Sequence, residues 1–115
     1  MYKDELIEKT KKLLNNIPSL KEKFKNGELK GFEKIEFKSL INILNDLPKE
    51  QQKLIAYKYF ENRKQIQIAN MLNLGINTVP RRLNKIVVEI GRGLYGMEEE
   101  FWNMIAGIEE NKKRG

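Results

Sequence analysis

Residues 65–83 read Gln65-Ile66-Gln67-Ile68-Ala69-Asn70-Met71-Leu72-Asn73-Leu74-Gly75-Ile76-Asn77-Thr78-Val79-Pro80-Arg81-Arg82-Leu83. The spacing describes two short helices packed across a tight turn. Ile68, Leu72, Val79 and Leu83 are the positions that would face inward, and Ala69 is small enough to let the second helix cross close to the first. The turn needs a residue that tolerates the left-handed conformation, and Asn73 serves best after glycine. Leu74 then plugs the angle between the helices. The alternation at Ile66-Gln67-Ile68 is too short to define a strand.

With those positions inward, Ile76, Asn77, Pro80, Arg81 and Asn84 point out at the start of the second helix. Their chemistry suits base edges in a DNA groove: arginine pairs bidentately with guanine, asparagine with adenine, and an apolar group meets the thymine methyl. Arg63, Lys64, Thr78, Arg82 and Lys85 would lie toward backbone phosphates, where they position without specifying. Arg82 has an alternative, a salt bridge to Glu89 or another acid of the same domain. Pro80 constrains where the helix begins, because an interior proline deletes a hydrogen bond and costs up to ~3 kcal/mol. A start at Asn77 puts Pro80 in the first turn, with Asn77 or Thr78 satisfying free amides.

Outward from this stretch, helical spacing dominates. Leu6, Thr10, Leu13, Leu14 and Ile17 form one stripe of a helix ending near Asn16. Pro18 opens a second short helix, with Leu20 and Phe24 on its buried side and Gly27 at its end; Gly27 to Gly31 is a loop. Phe37, Leu40, Ile41 and Leu44 mark a third helix, stopped at Asp46-Leu47-Pro48. A fourth runs through Leu54, Ile55 and Tyr59 to Phe60, with a turn at Glu61-Asn62. Helices are also predicted over about 64–73, 77–91 and 98–111. The fold class is therefore all-α, divided into an N-terminal helical segment (1–45) packing on the core, a helix-turn-helix domain (46–92), and a C-terminal amphipathic helix (93–115).

Gly91-Arg92-Gly93-Leu94-Tyr95-Gly96 has the glycine spacing of a dinucleotide-binding loop, but it follows a helix and opens no βαβ unit. It is read as a helix terminator and hinge. Beyond it Met97, Phe101, Ile105 and Ile108 form a stripe flanked by Trp102 and Met104, after an acidic Glu98-Glu99-Glu100 turn. That helix either packs on the N-terminal helices or offers a dimer or polymerase-facing surface.

The chain has 115 residues, enough for one small core, and a net charge of +6. Residues 63–92 alone carry an excess of +5, from Arg63, Lys64, Arg81, Arg82, Lys85 and Arg92 against Glu89. A patch of that kind suits a polyanion. There is no cysteine and no histidine, which removes thiolate nucleophiles, the usual zinc ligand sets and histidine-based acid/base schemes; no metal or other cofactor is expected. The two aspartates and the scattered glutamates form no paired carboxylate, so the chain is read as no enzyme. The charged start and the lack of an apolar run predict no secretory signal and no membrane span, hence a cytoplasmic, nucleoid-associated protein.

Leu47-Pro48, Tyr59-Phe60-Glu61, Ile68-Ala69, Leu72, Thr78-Val79 and Arg82-Leu83 together resemble, in order and spacing, the region-four helix-turn-helix of bacterial sigma factors. An arginine before the last apolar position, here Arg82, is typical of that group. The resemblance covers roughly residues 46–91. Leu13-Leu14 followed by Pro18 and Leu20, together with Leu94-Tyr95-Gly96, looks like the ArpU-like phage late-gene regulators. Gly75 departs from the sigma pattern where a serine cap is usual, Asn73 replaces glycine, and Pro80 stands inside the recognition helix.

The resemblance implies a transcriptional regulator that binds double-stranded DNA, alone as a homodimer or together with RNA polymerase. Two alternatives share the same shape: a helix-turn-helix module that holds a protein partner, and a DNA-binding subunit of a phage packaging machine, similar to a small terminase.

Overall fold

The computed structural model describes residues 3–96. Among these residues every regular element is helical: α1 (Lys3–Asn15), α2 (Ile17–Lys25), α3 (Gly31–Asp46), α4 (Lys49–Ile55), α5 (Gln65–Leu72) and α6 (Thr78–Gly91). Two π-helical turns, Ala56–Phe60 and Arg92–Gly96, extend α4 and α6. The predicted helix over 98–111 and its apolar stripe lie outside the described residues.

The chain changes direction where the sequence supplies left-handed residues. Gly27, at φ 71°, ends α2: its own N–H bonds back to Phe24 O at 3.1 Å, and that of Glu28 to Lys23 O at 2.8 Å. This paired arrangement satisfies two of the carbonyls a helix end leaves free. Asn62, at φ 51°, does the same after the first π turn, where the wider coil lets Arg63 N–H reach back to Tyr57 O at 2.9 Å. Between α3 and α4 the stop at Pro48 is reinforced from the far side. Gln52 Nε2 donates to Leu44 O at 2.9 Å and Asn45 O at 3.0 Å, closing the end of α3.

One core joins residues from every helix. Leu14 and Ile17, Leu40, Leu54 and Ile55, Ile68 and Ala69, and Val79, Leu83, Ile86, Val87 and Ile90 are all buried in it. A smaller cluster of Leu20, Leu29 and Phe37 closes the α2–α3 corner. Phe24, expected on the buried side of α2, is 39% exposed and leans on Phe37 with ring centroids 5.5 Å apart. α2 is short, and its buried side is filled by Ile17 and Leu20.

α6 makes its most extensive contact with α1. There the glycine run behaves differently from the terminator and hinge expected of it. Gly91 is the last residue of α6, buried, and the chain continues helically through Arg92–Gly96. A Cβ on Gly91 would lie 2.6 Å from Thr10 Oγ1 and 2.9 Å from Leu6 Cγ, and one on Gly93 would lie 3.0 Å from Ile43 Cδ1. The glycines are there for close helix approach. Thr10 is fully buried and satisfied, donating to Leu6 O at 2.7 Å within its own helix. Tyr95 closes the second π turn onto α3, its hydroxyl donating to Glu36 Oε2 at 3.0 Å beneath Lys9 Nζ, 4.1 Å from the ring centre. Burial first, then the hydrogen bond and negative charge of Glu36, raise the Tyr95 pKa well above its ordinary value of 10.0.

Candidate nucleic-acid interface

The α5–α6 unit is built around Asn73, which takes the left-handed conformation at φ 55° and ψ 46°. Leu74 N–H returns to Ala69 O at 2.8 Å, so the chain leaves α5 sharply enough for α6 to cross it. Ile68, Ala69, Val79 and Leu83 are buried at the crossing, while Leu72 and Leu74 are partly buried beside them. Gln65, at the start of α5, donates from Nε2 to Ile76 O at 2.7 Å and so fixes the far side of the turn. Lys64 N–H is held by Gln67 Oε1 at 3.0 Å, which satisfies one free donor at the start of α5.

α6 starts at Thr78, with Asn77 at the cap position, and Pro80 falls in the first turn. The expected cap chemistry differs, however. Asn77 makes no side-chain cap hydrogen bond; the Thr78 amide bonds to Gly75 O at 3.0 Å. The backbone turn at Gly75 takes up the Thr78 amide, and the exposed side chain of Asn77 has no capping role.

Ile76, Asn77, Pro80, Arg81 and Asn84 are all exposed, as are Lys64, Arg82 and Lys85, while Thr78 and Arg63 are half-buried. Helical spacing puts Arg81 and Lys85 on the middle of the solvent face of α6, opposite the buried Val79, Leu83, Ile86 and Ile90. Pro80 and Asn84 lie along one edge of that face. Arg82 lies along the other and pairs with Glu50 of α4, Nη1 to Oε1 at 2.6 Å. The acid is thus Glu50, not Glu89, because α4 packs beside that edge of α6. Arg63 pairs with Glu61 at 2.9 Å and sits over the Tyr57 ring, 5.7 Å from its centre. Among the described residues no acidic side chain pairs with Lys64, Arg81 or Lys85.

Two cations that sequence spacing does not point to join this face. Lys11 of α1 and Lys58 of the first π turn line a cleft of about 290 Å³ together with Gln65, Pro80 and Asn84. Their approach to α6 follows from how α1 and the α4 extension pack, and no local pattern near residues 65–83 announces it. Tyr59 forms part of the cleft wall, and burial raises its pKa. The assembled face carries exposed amide and guanidinium donors on one helix, with lysines from three other segments around them. Such a set can donate hydrogen bonds to base edges and screen phosphate charge.

Among the described residues no group of three or more metal-ligating side chains occurs, and no helix is long and apolar enough to cross a membrane. Compared with protein-family models, curated proteins and solved structures, the chain matches none of them.

Proposed function

We propose that this protein is a sequence-specific double-stranded DNA-binding transcriptional regulator that lays the start of α6 in the major groove. The observation that carries it is the joint exposure of Asn77, Pro80, Arg81 and Asn84 at the start of a helix presented by a left-handed turn, with no acid paired to Arg81 among the described residues. Arg81 and Asn77 would read base edges, Ile76 and Pro80 would supply apolar contact, and Asn84 would read or bridge at the edge. Lys64 and Lys85, joined by Lys11 and Lys58, would meet phosphates. Arg82 and Arg63 would stiffen the module through their ion pairs, while Thr78 would place its hydroxyl at the helix start.

The resemblance to sigma region four and to the ArpU-like regulators supports the finer reading, a phage or prophage regulator acting with RNA polymerase. One helix reads few base pairs, so useful specificity calls for a homodimer on a two-part site or for polymerase alongside.

Selection of bound duplexes from a random DNA pool, followed by a salt titration on the winner, tests the proposal. The expected result is an enriched motif whose log affinity falls with log salt at a slope of about −4, from four lysines each neutralising a phosphate. A palindromic motif would point to a dimer and a single half-site to a polymerase-assisted reader. Absence of enrichment together with negligible affinity at low salt would overturn DNA binding and favour a protein-holding module.

A further inference from the structure

On the flank of α3 away from its contact with the second π turn lies a groove of about 790 Å³ between α2, α3 and the α4 extension. Its lining is mainly apolar, from Ile17, Phe24, Phe37, Ile41, Ile55 and Phe60, with the amides of Asn42, Asn45 and Gln52 along one side. Phe24 and Phe60 stand 39% and 42% exposed at its sides, an unusual position for two phenylalanines of a small domain. Among the described residues, the charged ones that line it are Lys21 and Lys38. An apolar trough with a basic rim fits an amphipathic helix carrying acidic residues, bound by anchors three or four residues apart. It does not fit a nucleic acid, whose phosphates would find two lysines and a hydrophobic floor.

The chain itself contains such a segment. After Gly96 come Glu98-Glu99-Glu100, with Met97, Phe101, Ile105 and Ile108 at helical spacing. At 1.5 Å per residue, Phe101 to Ile108 would span about 11 Å, against about 12 Å of α3 between Phe37 and Asn45. The starting point is also suitable. Tyr95 is bonded to Glu36, so the chain leaves the described structure on the opposite flank of α3, level with Phe37 at one end of the groove, and has only that helix to cross. Four extended residues cover up to ~14 Å, more than the ~10 Å width of a helix. A tether that short keeps the segment at a millimolar-range effective concentration near the groove.

We infer that the groove is an intramolecular docking site for residues 101–111 of the same chain, with Phe101, Ile105 and Ile108 seated among Phe24, Ile41 and Phe60, and the linking Glu98–Glu100 passing over the rim that carries Lys21 and Lys38. The inference is independent of DNA binding. It assigns the groove an occupant and gives the acidic, aromatic segment a place on the α2–α3 face, away from the surface of α6.

The chain has one tryptophan, Trp102, beside the predicted anchors, so its fluorescence reports docking directly. In the unaltered full-length protein, Trp102 emission is expected to be blue-shifted and quenched by acrylamide several-fold less steeply than free tryptophan, at every protein concentration. Phe101→Glu and Phe60→Glu should each return the emission and quenching to solvent-exposed values. Phe101 lies outside the described core, and Phe60→Glu is accepted once a cooperative melt by circular dichroism shows that it folds; otherwise Lys38→Glu replaces it, with partial release expected. Trp102 found in solvent in the unaltered chain overturns the inference. So does release by Phe101→Glu without release by the groove variant, which puts the segment elsewhere. Protection that disappears on dilution overturns it as well, by identifying the occupant as a second copy.

Discussion

Asn73 and Gly91 serve two different crossings of α6, Asn73 by its backbone at the turn from α5 and Gly91 by its missing side chain against α1. Asn73 holds a left-handed conformation that costs an ordinary L-residue roughly 1–2 kcal/mol, so Asn73→Ala is expected to lower unfolding stability by about that amount in urea titration. Gly91→Ala would push a methyl group against Thr10 and Leu6, atoms fixed in a buried helix interface. The expected loss is about 1–3 kcal/mol, with the base preference in duplex selection unchanged because Gly91 is remote from the exposed face of α6.

Tyr95 adds a pH dependence. Its folded pKa is raised, so above pH 10 the unfolded chain releases the proton while the folded chain keeps it, and stability falls as pH rises. Urea titrations from pH 9 to pH 11 should show this decline in the unaltered protein and a shallower one in Tyr95→Phe. On the surface proposed to face DNA, Arg81→Ala should cost about 1–3 kcal/mol of binding and relax preference at one base position. Lys58→Ala, by contrast, should weaken all duplexes alike and reduce the salt slope by about one.

At the scale of the element, α6 shows how a proline can stand near the start of a helix without breaking it. Pro80 occupies the third position of α6, where the amide it lacks would have had no helical partner. Pro80→Ala is therefore expected to change stability by less than about 0.5 kcal/mol, against the ~3 kcal/mol typical of a proline in a helix interior. This placement, the left-handed Asn73 and the six helices within 3–96 were legible in the sequence, because proline, glycine and apolar spacing act on the backbone within a few residues.

The π-helical turns were not legible, since the apolar spacing of Leu54 to Phe60 fits an α-helix equally well. The glycines at 91 and 93 were read as breakers for a related reason. Their purpose, close approach of Gly91 to Leu6 and Thr10 and of Gly93 to Ile43, depends on partners 50 or more residues away in sequence. Lys11, Lys58 and the Glu50–Arg82 pair belong to the same group: charges on separate helices meet only after packing has brought the helices together. Asn77 was legible in position but not in role, because its side chain makes no cap hydrogen bond at the start of α6.

At the scale of the whole molecule, the helix-turn-helix unit does not stand alone on a tether. Its second helix packs against α1, and Leu14 of α1 and Ile17 of α2 enter the core that holds Ile68, Val79 and Val87. The α1–α6 contact also has a consequence for synthesis. As the chain is made, α1 must wait for its main partner, Gly91 and the residues before it, until residues 78–91 have been added. During that interval Leu6, Leu14 and Ile17 have no α6 to cover them, and closing so long a loop is entropically costly before any contact offsets it. Nascent chains arrested before residue 78 should accordingly remain sensitive to protease throughout α1, whereas chains long enough to expose Gly91 outside the exit tunnel should become resistant in a single step.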